Sequence, residues 1–369
     1  MYIKNIELKD YRNYENLSLE FDEKLNIFLG RNAQGKTNLL EAIYITALGK
    51  SFRTNKDTEL IRFDQEFAKV KIEKQKDEID GSVEIIFNKN QKKYAKVDGQ
   101  KIRRTSELLE NVYIVIFSPE DLKIVKDEPE KRRKFIDREL CQIRPAYYEN
   151  LSNYKKTLVQ RNAYLKEFEI DKSALDIWDC QLARYGARIM KYRSEFIERI
   201  SEFASNIHSG ITGGKENLRI VYAPNVEEKE DVRTQEDFFY EIIKKSQEND
   251  LRQRSTTRGP HKDDIEFFID DINARSFGSQ GQQRTAALSL KLAEIDIIKE
   301  VSGHTPILLL DDVMSELDLQ RQEFLVKTLS GVQLFITTTE ISDKLLAQLP
   351  KGNIYYIDSG KVRIEDIYN

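Results

Sequence analysis

Cysteine is scarce: Cys141 and Cys180 are the two thiols in 369 residues. So few exclude a disulfide framework and suit a reducing compartment, the cytoplasm. Histidine is nearly as rare, at three: His208, His261 and His304. Scattered this widely, with the cysteines distant, they give no zinc spacing. No apolar run reaches the ~20 residues that a membrane-spanning helix needs. The start, Met1-Tyr2-Ile3-Lys4-Asn5-Ile6, reads as a strand and lacks the basic-then-apolar layout of a secretion signal. Internal repeats are missing. A strong charge of either sign is missing too. The net charge of −4 leaves nucleic acid open, because a binding surface needs only a local basic patch.

What is present suits a soluble globular chain of two or so domains: 40% hydrophobic and 33% charged residues. Short strands come first, over 3–8, 17–21 and 25–29. A glycine-bearing loop over 30–37 leads into an apolar-periodic helix over 38–48. Segments 83–87 and 93–97 read as a hairpin, Asp98-Gly99 as a turn, and 112–117 as a buried strand. The middle of the chain changes character. Leu151, Tyr154, Leu158, Leu165 and Phe168 form one series, with Arg161 in a seam slot. Leu175, Trp178, Leu182, Tyr185, Ile189, Tyr192, Phe196, Ile200, Phe203 and Ile207 form a second. Steps of three and four predict two antiparallel helices, a short coiled-coil arm or a helical subdomain. Beyond them lie a strand over 218–222 and helices over 235–245 and 280–299. A strand over 307–310, a helix over 320–329 and a strand over 333–337 follow.

Gly30-Arg31-Asn32-Ala33-Gln34-Gly35-Lys36-Thr37 matches the phosphate-binding pattern G-x-x-x-x-G-K-[ST], between a strand and a helix. Glycines let backbone N–H groups close around phosphate oxygens. Lys36 would reach the β and γ phosphates of ATP, and the Thr37 hydroxyl would ligate Mg²⁺. The helix starting at Asn38 presents its N-terminus to the same anion. Ile307 to Leu310 is an apolar strand ending in Asp311-Asp312. An unpaired buried carboxylate is costly, so acid at that place asks for a cation. Asp311 is the expected Mg²⁺ ligand, and Asp312 the candidate general base that activates water. Thr37 and Asp311 lie far apart with the helical segment between them, so one ATP site is expected from the two chain ends. No guanine-reading Asn-Lys-x-Asp is present, which counts against a GTPase.

Ser279-Gln280-Gly281-Gln282-Gln283 opens the helix before the acidic strand, where ABC-type ATPases carry a Ser-Gly-Gly-Gln-like signature. That serine and helix N-terminus would meet the γ-phosphate bound to a second copy. A capping box made by Ser279 and Gln282 is the local alternative. Ser315-Glu316-Leu317-Asp318 is similar to the loop that crosses an ATP-bound dimer. Thr337-Thr338-Thr339 stands where many such proteins place a histidine. Ser118-Pro119-Glu120-Asp121 lacks their glutamine.

Further strings run in order along the chain: Asp10 to Tyr14, Asn38-Leu39-Leu40-Glu41-Ala42, Lys50 to Arg53, Phe117 to Leu122, Gly259 to Asp264, Ser279 to Arg284, Asp311 to Asp318, and Gln333 to Thr339. Together they resemble the RecF family of ABC/SMC-type ATPases over essentially the whole chain. The resemblance implies an α/β fold: an ABC-type P-loop head built from both chain ends, with an inserted helical lobe carrying the short antiparallel arm. The expected divisions are 1–117 and 251–369 for the head and 118–250 for the lobe. It implies ATP-dependent homodimers, binding at single-strand/double-strand DNA junctions, and work with the mediators RecR and RecO. It also implies an ATP-phosphate contact for Arg12. Two basic runs are candidate DNA contacts, Lys101 with Arg103 and Arg104, and Lys131 to Lys134. Either can equally be a solvated face. Two other readings are disfavoured. A chromosome-organising protein needs a longer arm and a hinge, and a small-molecule enzyme has no use for the Ser279 motif.

Overall fold

The computed structural model describes residues 1–329 and 331–365. In chain order its strands are β1 Tyr2–Tyr11, β2 Tyr14–Glu20, β3 Leu25–Leu29, β4 Phe67–Lys76, β5 Ile79–Asn88, β6 Tyr94–Val97, β7 Gln100–Lys101, β8 Ile114–Phe117, β9 Leu218–Ala223, β10 Asp264–Ile269, β11 Ile272–Asn273, β12 Ile307–Asp311, β13 Leu334–Thr338, β14 Asn353–Asp358 and β15 Lys361–Glu365. The helices are α1 Lys36–Leu48, α2 Pro129–Ile143, α3 Pro145–Tyr164, α4 Lys172–Thr212, α5 Val232–Gln253, α6 Ala274–Phe277, α7 Gln280–Ser302, α8 Leu319–Thr328 and α9 Asp343–Leu346. They group into two compact units, Met1–Asp121 with Glu294–Asn369, and Leu122–Ala293.

The first unit is a mixed α/β head built from both ends of the chain. Its six-stranded sheet runs β15-β14-β3-β13-β12-β8, parallel throughout except for β15. β3, β12 and β13 are buried at every position. Largely apolar strands buried at every position suit a parallel sheet covered on both faces. The other sheet of this unit is antiparallel, β2-β1-β4-β5-β6-β7. In β4 the buried Ala68, Val70 and Ile72 alternate with the less buried Lys69, Lys71 and Glu73, the two-residue period of a half-covered strand. A side-chain amide imitates a ladder here. Gln333 Oε1 accepts from Ile3 N–H at 2.8 Å, and Gln333 Nε2 donates to Ile3 O at 2.8 Å and Asp22 O at 2.9 Å.

In the second unit α3 and α4 pair as the seam predicts. α5 and β9 also pack on α4, so its buried face is wide rather than a narrow stripe: Leu182, Ala183, Ala187, Ile189, Met190 and Ile197 are all buried. Gly186 permits this. A Cβ there would come within 2.5 Å of Phe239 on α5 and 3.3 Å of Tyr154 on α3. The seam slot held by Arg161 is an ionic lock. Its guanidinium, fully buried, donates to Asp179 on α4 at 2.7 Å and to Asp250 on α5 at 2.7 Å. Phe168, expected to extend the first series, lies beyond the end of α3 and is fully exposed. A return to the head at residue 251 is not what contacts give: β10 pairs antiparallel with β9 (Ile265 with Tyr222), which ties 264–269 to the helical unit.

Candidate nucleotide site

The site grows from the carboxyl ends of three neighbouring strands, β3, β13 and β12, the edge where open α/β sheets receive ligands. The chain leaves β3 at Gly30, curls through Ala33 in the left-handed region (φ 64°), and enters α1 through Gly35. Gly35 is required: at φ 117° a Cβ would sit 2.5 Å from Asn13 Nδ2. Around it, Tyr14 O–H donates to Gly35 O at 3.0 Å and Asn13 Nδ2 to Gln34 O at 3.0 Å. Gln34 Oε1 accepts from Ser359 N–H at 2.6 Å, and Asn38 Nδ2 donates to Asn13 Oδ1 at 2.8 Å. The loop is thus held from outside while Arg31, Asn32 and Ala33 stay exposed.

Lys36 Nζ donates to the loop's own carbonyls, Gly30 O at 2.5 Å and Arg31 O at 3.0 Å. Burial lowers its pKa, and the charges of Asp312 and Asp311 oppose that shift. Thr37 Oγ1 donates to Asp311 Oδ1 at 2.8 Å, joining positions 274 residues apart. Thr337, the last-but-one residue of β13, donates to the same oxygen at 2.8 Å. Its hydroxyl also accepts from Asp312 N–H at 3.0 Å. Burial raises the Asp311 pKa, and the two threonine hydroxyls pull it back. A buried carboxylate beside a hydroxyl is a hard-oxygen set that fits a magnesium ion. Asp312 begins the turn after β12 in the left-handed conformation (φ 54°), with its side chain partly exposed.

The threonine run and Arg12 have partners within the chain. The Thr337 hydroxyl is spent on Asp311 and Asp312, and Thr338 Oγ1 donates to Glu340 O at 2.6 Å; Thr339, exposed, is what remains at the histidine's place. Arg12 is held bidentately on Glu41, at 2.8 Å from each carboxylate oxygen, and donates to Glu59 O at 2.8 Å. Glu41, wholly buried on α1, also accepts from Tyr11 O–H at 2.9 Å and Ser51 O–H at 2.5 Å. Glu41 and Thr337 each lie within one of the motif strings, but their roles come from the neighbouring strand or loop.

The Ser279 motif belongs to the helical unit. Gln282 N–H donates to Ser279 Oγ at 3.2 Å, and Ser279 N–H donates to Gln282 Oε1 at 2.9 Å: the capping box is formed, on an exposed helix start. The basic run 131–134 is largely committed. Lys131 pairs with Asp127, the buried Arg132 with Asp264, Lys134 with Glu130, and Arg133 donates to Asp263 O. Lys101 and Arg103 are exposed, with Lys101 over the Tyr94 ring.

The RecF/RecN/SMC N terminal domain family matches residues 2–349. The DNA replication and repair protein RecF of Clostridioides difficile (strain 630) is 44% identical over 364 residues, covering 98% of each chain. The chain belongs to the RecF family. Its relative of the same name in Clostridium perfringens (strain 13 / Type A) is 41% identical, covering 98% of this chain and 100% of that one. A solved structure described as the recombination mediator protein RecF-ATPrS in the RecFOR pathway superposes with a TM-score of 0.92 at 39% identity, over 98% of each chain. An SMC head bound to the C-winged helix domain of ScpA superposes at 0.56 with 17% identity, covering 100% of this chain and 99% of that one, and shares the fold alone. Membership in RecF places the head among ABC/SMC-type ATPases. No described helix is long and apolar enough to cross a membrane.

Proposed function

We propose that this RecF-family chain is an ATP-dependent DNA-binding protein of recombinational repair and replication-fork maintenance. ATP closes two copies into a clamp at a single-strand/double-strand junction. Hydrolysis opens it, and the closed form helps load recombinase through the mediators RecR and RecO. The observation that carries the reading is the Thr37–Asp311 contact, which unites loop and acidic strand in one site. The names of the relatives, a DNA replication and repair protein and a recombination mediator, support it.

In this reading Gly30 to Asn38 cradle the phosphates, and Lys36 exchanges loop carbonyls for phosphate oxygens. Thr37 and Asp311 would hold Mg²⁺, which supplies positive charge to the phosphates when bound. Asp312 takes the proton of the attacking water. Ser279 serves the ATP of the second copy. Capping does not prevent this: Ser279 Oγ is the acceptor in its bond with Gln282 N–H, so its own hydrogen is left to donate. DNA is held by its backbone, which makes affinity fall steeply with salt.

Ser279→Arg tests the clamp. A bulky cation at the facing surface blocks closure, so light scattering with ATP shows monomers, while ATP still binds the loop in cis. Tight DNA binding falls with hydrolysis. If Ser279 is only a cap, the variant loses about 1 kcal/mol of stability and dimerises normally, and the clamp reading is lost.

A further inference from the structure

A chain of side chains leaves α7 at Gln282 and returns to it seven residues on. Gln282 Oε1 accepts from Ser279 N–H at 2.9 Å, and its Nε2 donates to Glu216 Oε1 at 3.0 Å. The other carboxylate oxygen, Glu216 Oε2, lies 3.2 Å from His208 Nε2. His208 is fully buried on α4, with Nδ1 3.3 Å from Ser289 Oγ on α7.

Each link removes a freedom that the next would have. An amide at a partly exposed helix start can face either way, since its last torsion is two-fold. A carboxylate only accepts, so Glu216 forces Nε2 toward itself and Oε1 toward Ser279. That choice closes the reciprocal box and steadies the Ser279 backbone that carries the hydroxyl. Glu216 is itself fixed. It follows the two left-handed glycines that end α4, Gly213 (φ 65°) and Gly214 (φ 74°). The next residue, Asn217, exchanges bonds with Asp270: N–H to Oδ1 at 3.0 Å, and Asp270 N–H to Asn217 O at 3.0 Å.

We infer that Glu216, held by His208, is a positioning residue for Ser279. It selects the amide orientation that aims the serine at the nucleotide of the second copy. The inference rests on the trans-acting reading of Ser279.

Glu216→Ala lowers kcat for ATP roughly tenfold, with KM and monomer ATP affinity unchanged. Glu216→Gln, whose amide can face Gln282 with its oxygen or its nitrogen, restores the rate only in part. The deciding measurement mixes Glu216→Ala with Lys36→Met. The mixed dimer contains one site that pairs the intact loop of the first chain with the intact Ser279 turn of the second. Its ATP turnover rises well above that of either variant alone. An unchanged kcat in Glu216→Ala overturns the inference. So does absence of recovery in this mixture when Ser279→Ala, which removes the hydroxyl without adding bulk, does recover on mixing with Lys36→Met. If the Ser279→Ala mixture fails to recover as well, the trans reading itself falls. Should Glu216→Ala not fold, Gln282→Met cuts the same link from α7 and is scored by the same mixing.

Discussion

The Thr337 hydroxyl holds two consecutive acidic residues at once, donating to Asp311 Oδ1 and accepting from Asp312 N–H. Thr337→Val keeps shape and removes both bonds. A bond to a charged group contributes about 1.5–3 kcal/mol, so urea unfolding shows a loss of that order and ATP turnover falls. Thr337→Ser keeps both properties near wild type. Equal behaviour of the two variants would show the hydroxyl to be idle. Asp312→Asn preserves the turn and removes the base: ATP still binds, single-turnover hydrolysis slows by about 10²–10⁴-fold, and the ATP-bound dimer persists longer in sedimentation. The loop and the acid pair were legible in sequence because each is a local string with one chemical use. Thr337 was legible only as a position in a motif. Its work arises from β13 lying between β3 and β12, a neighbour relation that no local pattern encodes. Glu41 was hidden for the same reason: its partners Tyr11, Arg12 and Ser51 arrive from two other segments.

At the scale of elements, period and burial carried most of the reading. β3, β12 and β13 announce themselves as short, mostly apolar runs, whereas β4 does not, because Lys69, Lys71, Glu73 and Gln75 dilute its alternating face. The three-four steps of α3 and α4 were read as a seam, and the pair is there. The same steps do not say how many neighbours a helix has; the small Gly186, which admits Phe239, is the residue that tells. Arg161 in its seam slot resolves into a lock among α3, α4 and α5. Arg161→Met leaves Asp179 and Asp250 buried without their cation, a loss of about 3–5 kcal/mol. Denaturant melts of the variant read this directly, and a loss below 1 kcal/mol, roughly the worth of an exposed pair, would show that water reaches the site.

For the whole molecule, His261 sets a pH limit on stability. Burial lowers its pKa to about 4 from the ordinary 6.5. The neutral ring suits its place, with Nδ1 2.7 Å from Tyr154 O–H and Nε2 3.0 Å from Thr256 O. The unfolded chain takes up the proton first, so stability is full above about pH 6.5 and declines as pH falls toward 4, by about 2 kcal/mol between pH 7 and pH 5. Thermal melts across that range show the slope, and His261→Gln flattens it. Carboxylates whose pKa values fall in the folded state titrate lower; Asp137, which burial would raise but Arg193 and Lys155 pull down to about 2, marks that acid range. The sheet order has another consequence, for synthesis. Both neighbours of β3, namely β13 and β14, begin only at Leu334 and Asn353. A ribosome adds about 5–20 residues per second, so the roughly 300 residues between take ~15–60 s. Throughout that interval a five-residue, mostly apolar strand has no partner on either edge. The emerging chain must therefore shelter Leu25–Leu29, by local collapse or by a chaperone, until its last strands arrive.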